Sequence, residues 1–191
     1  SQPALLASCV AAALFSTVAT FVLLLVVGVT VAPTLLPELA PSMLAGLLSS
    51  ALVAWWAMRG QTTASAASLP EGHAFSFKEA LIFAIFLSVA TALMTLANQH
   101  FGATALGIST TLAGFADVHA ACASLLTLAV SGKLEAQQAL LPLLLAISSN
   151  TVSKIIAAWV SGGAAYGARV GAGLLVVLVC TWLPWLWRMV V

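Results

Sequence analysis

The 191-residue chain is 62% hydrophobic and only 6% charged, with a mean hydropathy of +1.14, so it cannot cover itself with a soluble surface. A formal net charge of +1 gives no basis for nucleic acid or strongly acidic partners, and a polytopic membrane protein is the class that remains. The three cysteines, Cys9, Cys122 and Cys180, lie in separate apolar segments without metal-ligand or disulfide spacing and read as small packing residues.

A helix in lipid can be apolar all round, so length marks the crossings better than periodicity; each needs about 20 residues at 1.5 Å rise. This predicts about six spans, at residues 5–27, 41–58, 79–98, 103–131, 135–160 and 164–187. The expected fold is an all-α polytopic transmembrane bundle, a single domain over residues 1–191. The first span lacks a basic flank and exceeds a signal-peptide core, so it is retained as a crossing. Ser1 stands where an initiator Met would, which predicts a processed or truncated start.

Pro33, Pro37 and Pro41 follow the first span and exclude continuous helix there. Residues 59–77 form the one hydrophilic loop, rich in Ser, Thr, Ala and Gly, and Ser76-Phe77-Lys78-Glu79 has the capping-box spacing that would start the third span. In that span Ser88, Thr91, Thr95 and Asn98 recur at i, i+3, i+7 and i+10, along one face that should point inward. Such a stripe is packing glue by itself and a pathway lining only together with other polar centres. His73 and His100, in the loop and at a membrane edge, need no special explanation.

The fourth and fifth spans carry ionisable groups near their middles, where a charge costs at least about 2.5–3.5 kcal/mol. In the fourth, Gly114 precedes Asp117 and His119, which lie about 200° apart on a continuous helix and could share a ligand only across a break. Asp117 would then N-cap a half-helix starting near Val118, with Ser109, Thr110 and Thr111 supplying further polar groups. The fifth span centres on Ser148, Ser149, Asn150 and Thr151, with Lys154 on the same face as Asn150. Both spans are thus candidates for interruption at mid-membrane. Asp117 and Lys154 either neutralise each other structurally, with the hydroxyls as interhelical glue, or belong to a binding or conducting site.

The last span opens with Gly163, Gly167 and Gly171, a small-residue ladder that predicts a tight helix–helix contact. The spacing leaves open whether the partner helix belongs to this chain, to another domain or to a second copy in a homo-oligomer. Arg169, within the ladder, can snorkel to phosphates. Alternation of six crossings would put Arg59, Lys78, Lys133 and Arg188 on one side and Arg169 on the other, so both termini are expected to face the cytoplasm. Trp55, Trp56, Trp182, Trp185 and Trp187 would mark that interface.

No nucleophile with a positioned base, P-loop, dinucleotide fingerprint or HExxH is present, so neither an enzyme nor a cofactor is expected. His119 and Cys122 share a face, but one His, one Cys and one Asp are a weak transition-metal signature.

The motifs Gly114-Phe-Ala-Asp117-Val-His119-Ala120 and Ser149-Asn150-Thr151-Val-Ser-Lys154, followed by Gly162-Gly163 and Tyr166 to Arg169, resemble the C-terminal membrane module of MgtC/SapB-type bacterial proteins. That module is a domain of unknown function, and the resemblance spans nearly the whole chain. It implies a multi-pass protein of a bacterial inner membrane, with an MgtC-like membrane domain as a partner that usually precedes the module. The association of such proteins with magnesium homeostasis and restraint of the ATP synthase belongs to that other domain.

Two functions follow as expectations. The first is binding or translocation of a small ion, a divalent cation or a proton-coupled solute, at a midplane site. Asp117 would be the anionic ligand or proton carrier, Ser148, Asn150 and Thr151 neutral ligands, His119 a titratable switch and Lys154 the counter-charge. One carboxylate is few for a stripped hard cation, which favours proton coupling. The second is a non-transporting interaction or regulatory module that docks another membrane domain through the glycine ladder.

Overall fold

The structure, a computed structural model, describes residues 3–59 and 106–190, together with 81, 85, 88 and 89 between them. The hydrophilic loop and most of the expected third span, including Thr91, Thr95 and Asn98, lie outside the described residues. Ser88 is helical and exposed.

Every regular element among the described residues is helical: α1 (Pro3–Val31), a short 3-10 turn (Pro33–Leu35), α2 (Leu36–Arg59), α3 (Leu106–Ala116), α4 (Val118–Val130) and α5 (Ala136–Val190). Three stretches, Leu6–Val31, Pro33–Arg59 and Gln138–Val190, are long and apolar enough to cross a membrane.

The prolines do end α1, at Ala32 with φ −141° and ψ 63°, but α2 starts at Leu36 rather than at Pro41. Pro37 falls in the first turn, where its missing amide would have had no helical partner. Pro41 lies one turn further in, and its missing N–H leaves the Pro37 carbonyl without a donor from its own helix. Gly46, buried on α2, faces the Phe21 ring of α1 and the Thr181 hydroxyl of α5, a site with no room for a side chain. Close approach at small residues is how helices associate in lipid, where hydrophobic burial supplies no difference.

At 1.5 Å per residue the 53-residue stretch Gln138–Val190 of α5 would reach about 80 Å, far beyond a core of about 30 Å. Gly163 resolves this. Its φ of 73° and ψ of −179° interrupt the helix, and the chain reverses there into two arms, 136–162 and 164–190. Gly171 on the second arm faces Ile155 on the first, and the Trp182 indole N–H donates to Ser148 Oγ at 3.0 Å. The arms correspond to the expected fifth and sixth spans, joined by one glycine.

The interior gathers Phe21 and Leu24 of α1, Leu39 and Met43 of α2, Leu125 of α4 and Leu144 of α5, all fully buried. Large apolar side chains such as Leu23, Val26, Leu48 and Val179 point outward, as lipid-facing surface requires.

The hairpins correct the expected topology. Arg188 pairs with Glu38 at the α1–α2 turn, whereas Arg59 and Arg169 line a common groove with Ala7 and Val10 at the opposite end. Lys133 precedes the first arm of α5 and so shares the Arg188 end. The expected gathering of Arg59, Lys78, Lys133 and Arg188 against Arg169 is therefore not seen among the described residues, which exclude Lys78 and place Arg59 with Arg169 at one end and Lys133 with Arg188 at the other. The first turns of α1 and the last of α5 also lie at opposite ends, so the expectation that both termini share one side is not met.

Candidate functional site

Between α3 and α4 the helix is broken at Asp117, whose φ of −153° and ψ of 105° are extended. The break follows from packing on one side and capping on the other. Gly114 lies directly against the Ala146 backbone of α5, and Ser149 Oγ donates to the Thr111 carbonyl at 2.6 Å, which clamps the end of α3 to the first arm. Asp117 Oδ1 then accepts from the backbone N–H of His119 at 2.8 Å and of Ala120 at 3.3 Å, satisfying the orphan amides of α4. His119 Nδ1 lies 3.2 Å from the same oxygen, while its Nε2 is buried without a partner.

The fifth span is not interrupted where its polar residues cluster, contrary to expectation. Ser148 donates to the Leu144 carbonyl at 2.7 Å and Thr151 to that of Ile147 at 2.8 Å, so the hydroxyls turn back onto the helix and no backbone group is released. Asn150 is half-buried on the same arm.

Asp117 and Lys154 do not meet. Gly114 against Ala146 and Thr111 against Ser149 make α3 and the first arm antiparallel, so the two residues diverge from that contact by roughly 16 Å at 1.5 Å per residue. Lys154 instead donates from Nζ to Thr20 Oγ1 at 2.9 Å, bridging α5 to the middle of α1. Side chains on a helix lean toward its N-terminus, and here that direction leads into the bundle. Thr20 passes its own hydrogen to the Ser16 carbonyl at 3.0 Å, leaving its oxygen to accept from the ammonium. One turn earlier on the same face, Thr17 Oγ1 is buried without a partner.

The three described carboxylates are engaged elsewhere: Asp117 caps α4, Glu38 pairs with Arg188, and Glu135 accepts from Gln138 at 3.4 Å. Lys154 is thus a partly buried cation with a hydroxyl, not an acid, as its partner. Thr17 and Thr20 were missed in the sequence, although two threonines three apart in the middle of an apolar span were a visible signal.

The glycine ladder is consumed within the α5 hairpin. Gly167 lies against the Trp159 indole and Gly171 against Ile155, 3.6 Å from where its Cβ would stand. Gly163 is the turn itself rather than a packing position. Among the described residues no group of three or more His, Cys, Asp or Glu side chains is placed to hold a metal ion.

Neither the curated proteins nor the solved structures contain a match to the chain. The sequence model of one family, described as a domain of unknown function (DUF4010), matches residues 1–162, covering α1 to α4 and the first arm of α5, and the chain belongs to that family.

Proposed function

We propose that the chain is a multi-pass membrane module that binds or translocates a small ion through the polar layer between α1 and α5, with Lys154 rather than Asp117 as its charged centre. The observation that carries this reading is the Lys154 ammonium held on Thr20 at the middle of α1, with every described carboxylate engaged elsewhere. An intramembrane cation is costly and is retained where it serves an ion or proton path. A lysine in this setting can release and regain a proton, and while charged it repels metal cations. The proton-coupled version is therefore preferred to the divalent-cation version. Ser148, Thr151 and the unpartnered Thr17 hydroxyl supply neutral oxygens near that layer, and Asp117 with His119 serves to shape the broken helix.

In this reading α1, α2, the α3–α4 pair and the two arms of α5 are the crossings among the described residues, the expected third span lying outside them, and the module is set in a bacterial inner membrane beside an MgtC-like domain. The rival docking role loses support because the glycine face it required is occupied within the α5 hairpin.

Reconstitution in liposomes with an entrapped pH dye tests the proposal. Lys154→Met should remain folded and abolish proton-coupled flux, while Asp117→Asn, which preserves the cap, should retain it. Unchanged flux in Lys154→Met would remove Lys154 from the path.

A further inference from the structure

The bundle end that carries Arg59 and Arg169 opens into an apolar groove of about 1110 Å³ between α1, α2 and the second arm of α5. Val10 and Leu14 of α1, Leu52 and Trp56 of α2 and Val176 of α5 line it, and the two arginines stand at its mouth. Among the described residues no carboxylate lines it and none pairs with either guanidinium, unlike Arg188 at the far end. The Arg59 guanidinium carbon stands over Trp55, 3.5 Å from the ring centroid, and indoles gather at the depth of headgroups.

We propose that this groove binds an anionic phospholipid, with its phosphate between Arg59 and Arg169 and the upper part of one acyl chain against Leu14, Leu52 and Val176. The chemistry must be apolar below and anionic above. Leu52, Trp56 and Val176 are more than half exposed, so the groove is open sideways toward hydrocarbon. Leu52 to Arg59 and Arg169 to Val176 each cover two helical turns, about 10 Å, the depth of a headgroup boundary plus the first half of a chain. Two planar guanidiniums match phosphate oxygens in paired hydrogen bonds. A choline headgroup would bring a third cation to the same mouth, whereas a glycerol headgroup would not, so the site discriminates by net headgroup charge.

The test is native mass spectrometry of the purified full chain titrated with phosphatidylglycerol and phosphatidylcholine of identical acyl chains. The wild type should retain phosphatidylglycerol on the order of tenfold more tightly, and Arg59→Gln combined with Arg169→Gln should erase the difference. Lys133→Gln, at the opposite end, should leave it intact. Val176→Trp keeps both charges but fills the groove, and should reduce retention of both lipids. Equal retention of the two lipids by the wild type, or an undiminished preference in the glutamine pair, would overturn the site. Glycerol 3-phosphate stabilising the protein as much as the whole lipid does would overturn the lipid assignment in favour of a soluble anion. Should the glutamine pair fail to fold, Val176→Trp decides, because unchanged lipid retention in that variant rules the groove out.

Discussion

Arg188 donates to the Pro37 carbonyl at 3.3 Å, the group that Pro41, lacking an amide, leaves without a helical partner. The same guanidinium pairs with Glu38 in the first turn of α2, so the last turn of α5 is fastened to the α1–α2 turn by one side chain meeting a carboxylate and a backbone oxygen.

This dependence can be measured. Arg188→Gln should destabilise the folded protein by about 1 kcal/mol, near the upper end for an exposed pair because a carbonyl is also left unmet. In a Pro41→Ala background the restored amide can satisfy Pro37, so the cost of Arg188→Gln should fall. Thermal unfolding of the four proteins in detergent gives the comparison, and an equal cost in both backgrounds would mean that the proline does not create the site.

Gly163 turns the chain at φ 73° and ψ −179°, a conformation open essentially to glycine alone, so Gly163→Ala and Gly163→Asn should each cost about 1–3 kcal/mol. The two ladder glycines differ. A Cβ at Gly167 would strike the Trp159 indole, whereas one at Gly171 meets only Ile155 at ordinary distance. Gly167→Leu should therefore force the arms apart, and Gly171→Ala should be neutral or stabilising by up to about 1 kcal/mol through helix propensity. Circular dichroism melts of the four variants check the order.

Asp117→Ala removes the oxygen that accepts from His119 and Ala120 and should cost about 1 kcal/mol, while Asp117→Asn retains the cap and should cost less. Lys154→Met replaces a cation by an apolar chain of similar length and should leave stability unchanged or raised. Because the two residues are far apart, Asp117→Ala with Lys154→Met should be additive within about 0.3–0.5 kcal/mol. Coupling beyond that range in a double-mutant cycle would indicate that they interact after all.

Ser149 Oγ reaches the Thr111 carbonyl while Gly114 presses on Ala146, so the α3–α5 contact rests on small residues. Ser149→Ala should cost about 1 kcal/mol. Gly114→Val should cost more, because backbone rather than a movable side chain lies in the way. Protease sensitivity near Asp117 should rise in Gly114→Val; resistance equal to wild type would show that α3 can shift without opening the break.

Much of this molecule is legible from local chemistry. Runs of apolar residues announce helices in lipid, because no other open-chain element satisfies its backbone there. Pro33 announces the end of α1, and Gly114 followed by Asp117 announces a break with a capping carboxylate, since these residues act on their own few neighbours. What depends on distant neighbours is not written locally. The polar centres of the fourth and fifth spans look like partners, yet antiparallel packing at Gly114 and Ser149 carries Asp117 and Lys154 apart. Thr20, from a span with no charge at all, becomes the partner of Lys154. The glycine ladder announces a close contact without naming its far side, which only the reversal at Gly163 supplies. Orientation suffers most, because the position of every cation depends on how many times the chain has crossed before it. The contact of Arg188 with Glu38 is a relation between residues at remote points of the chain, and no periodicity or composition encodes it.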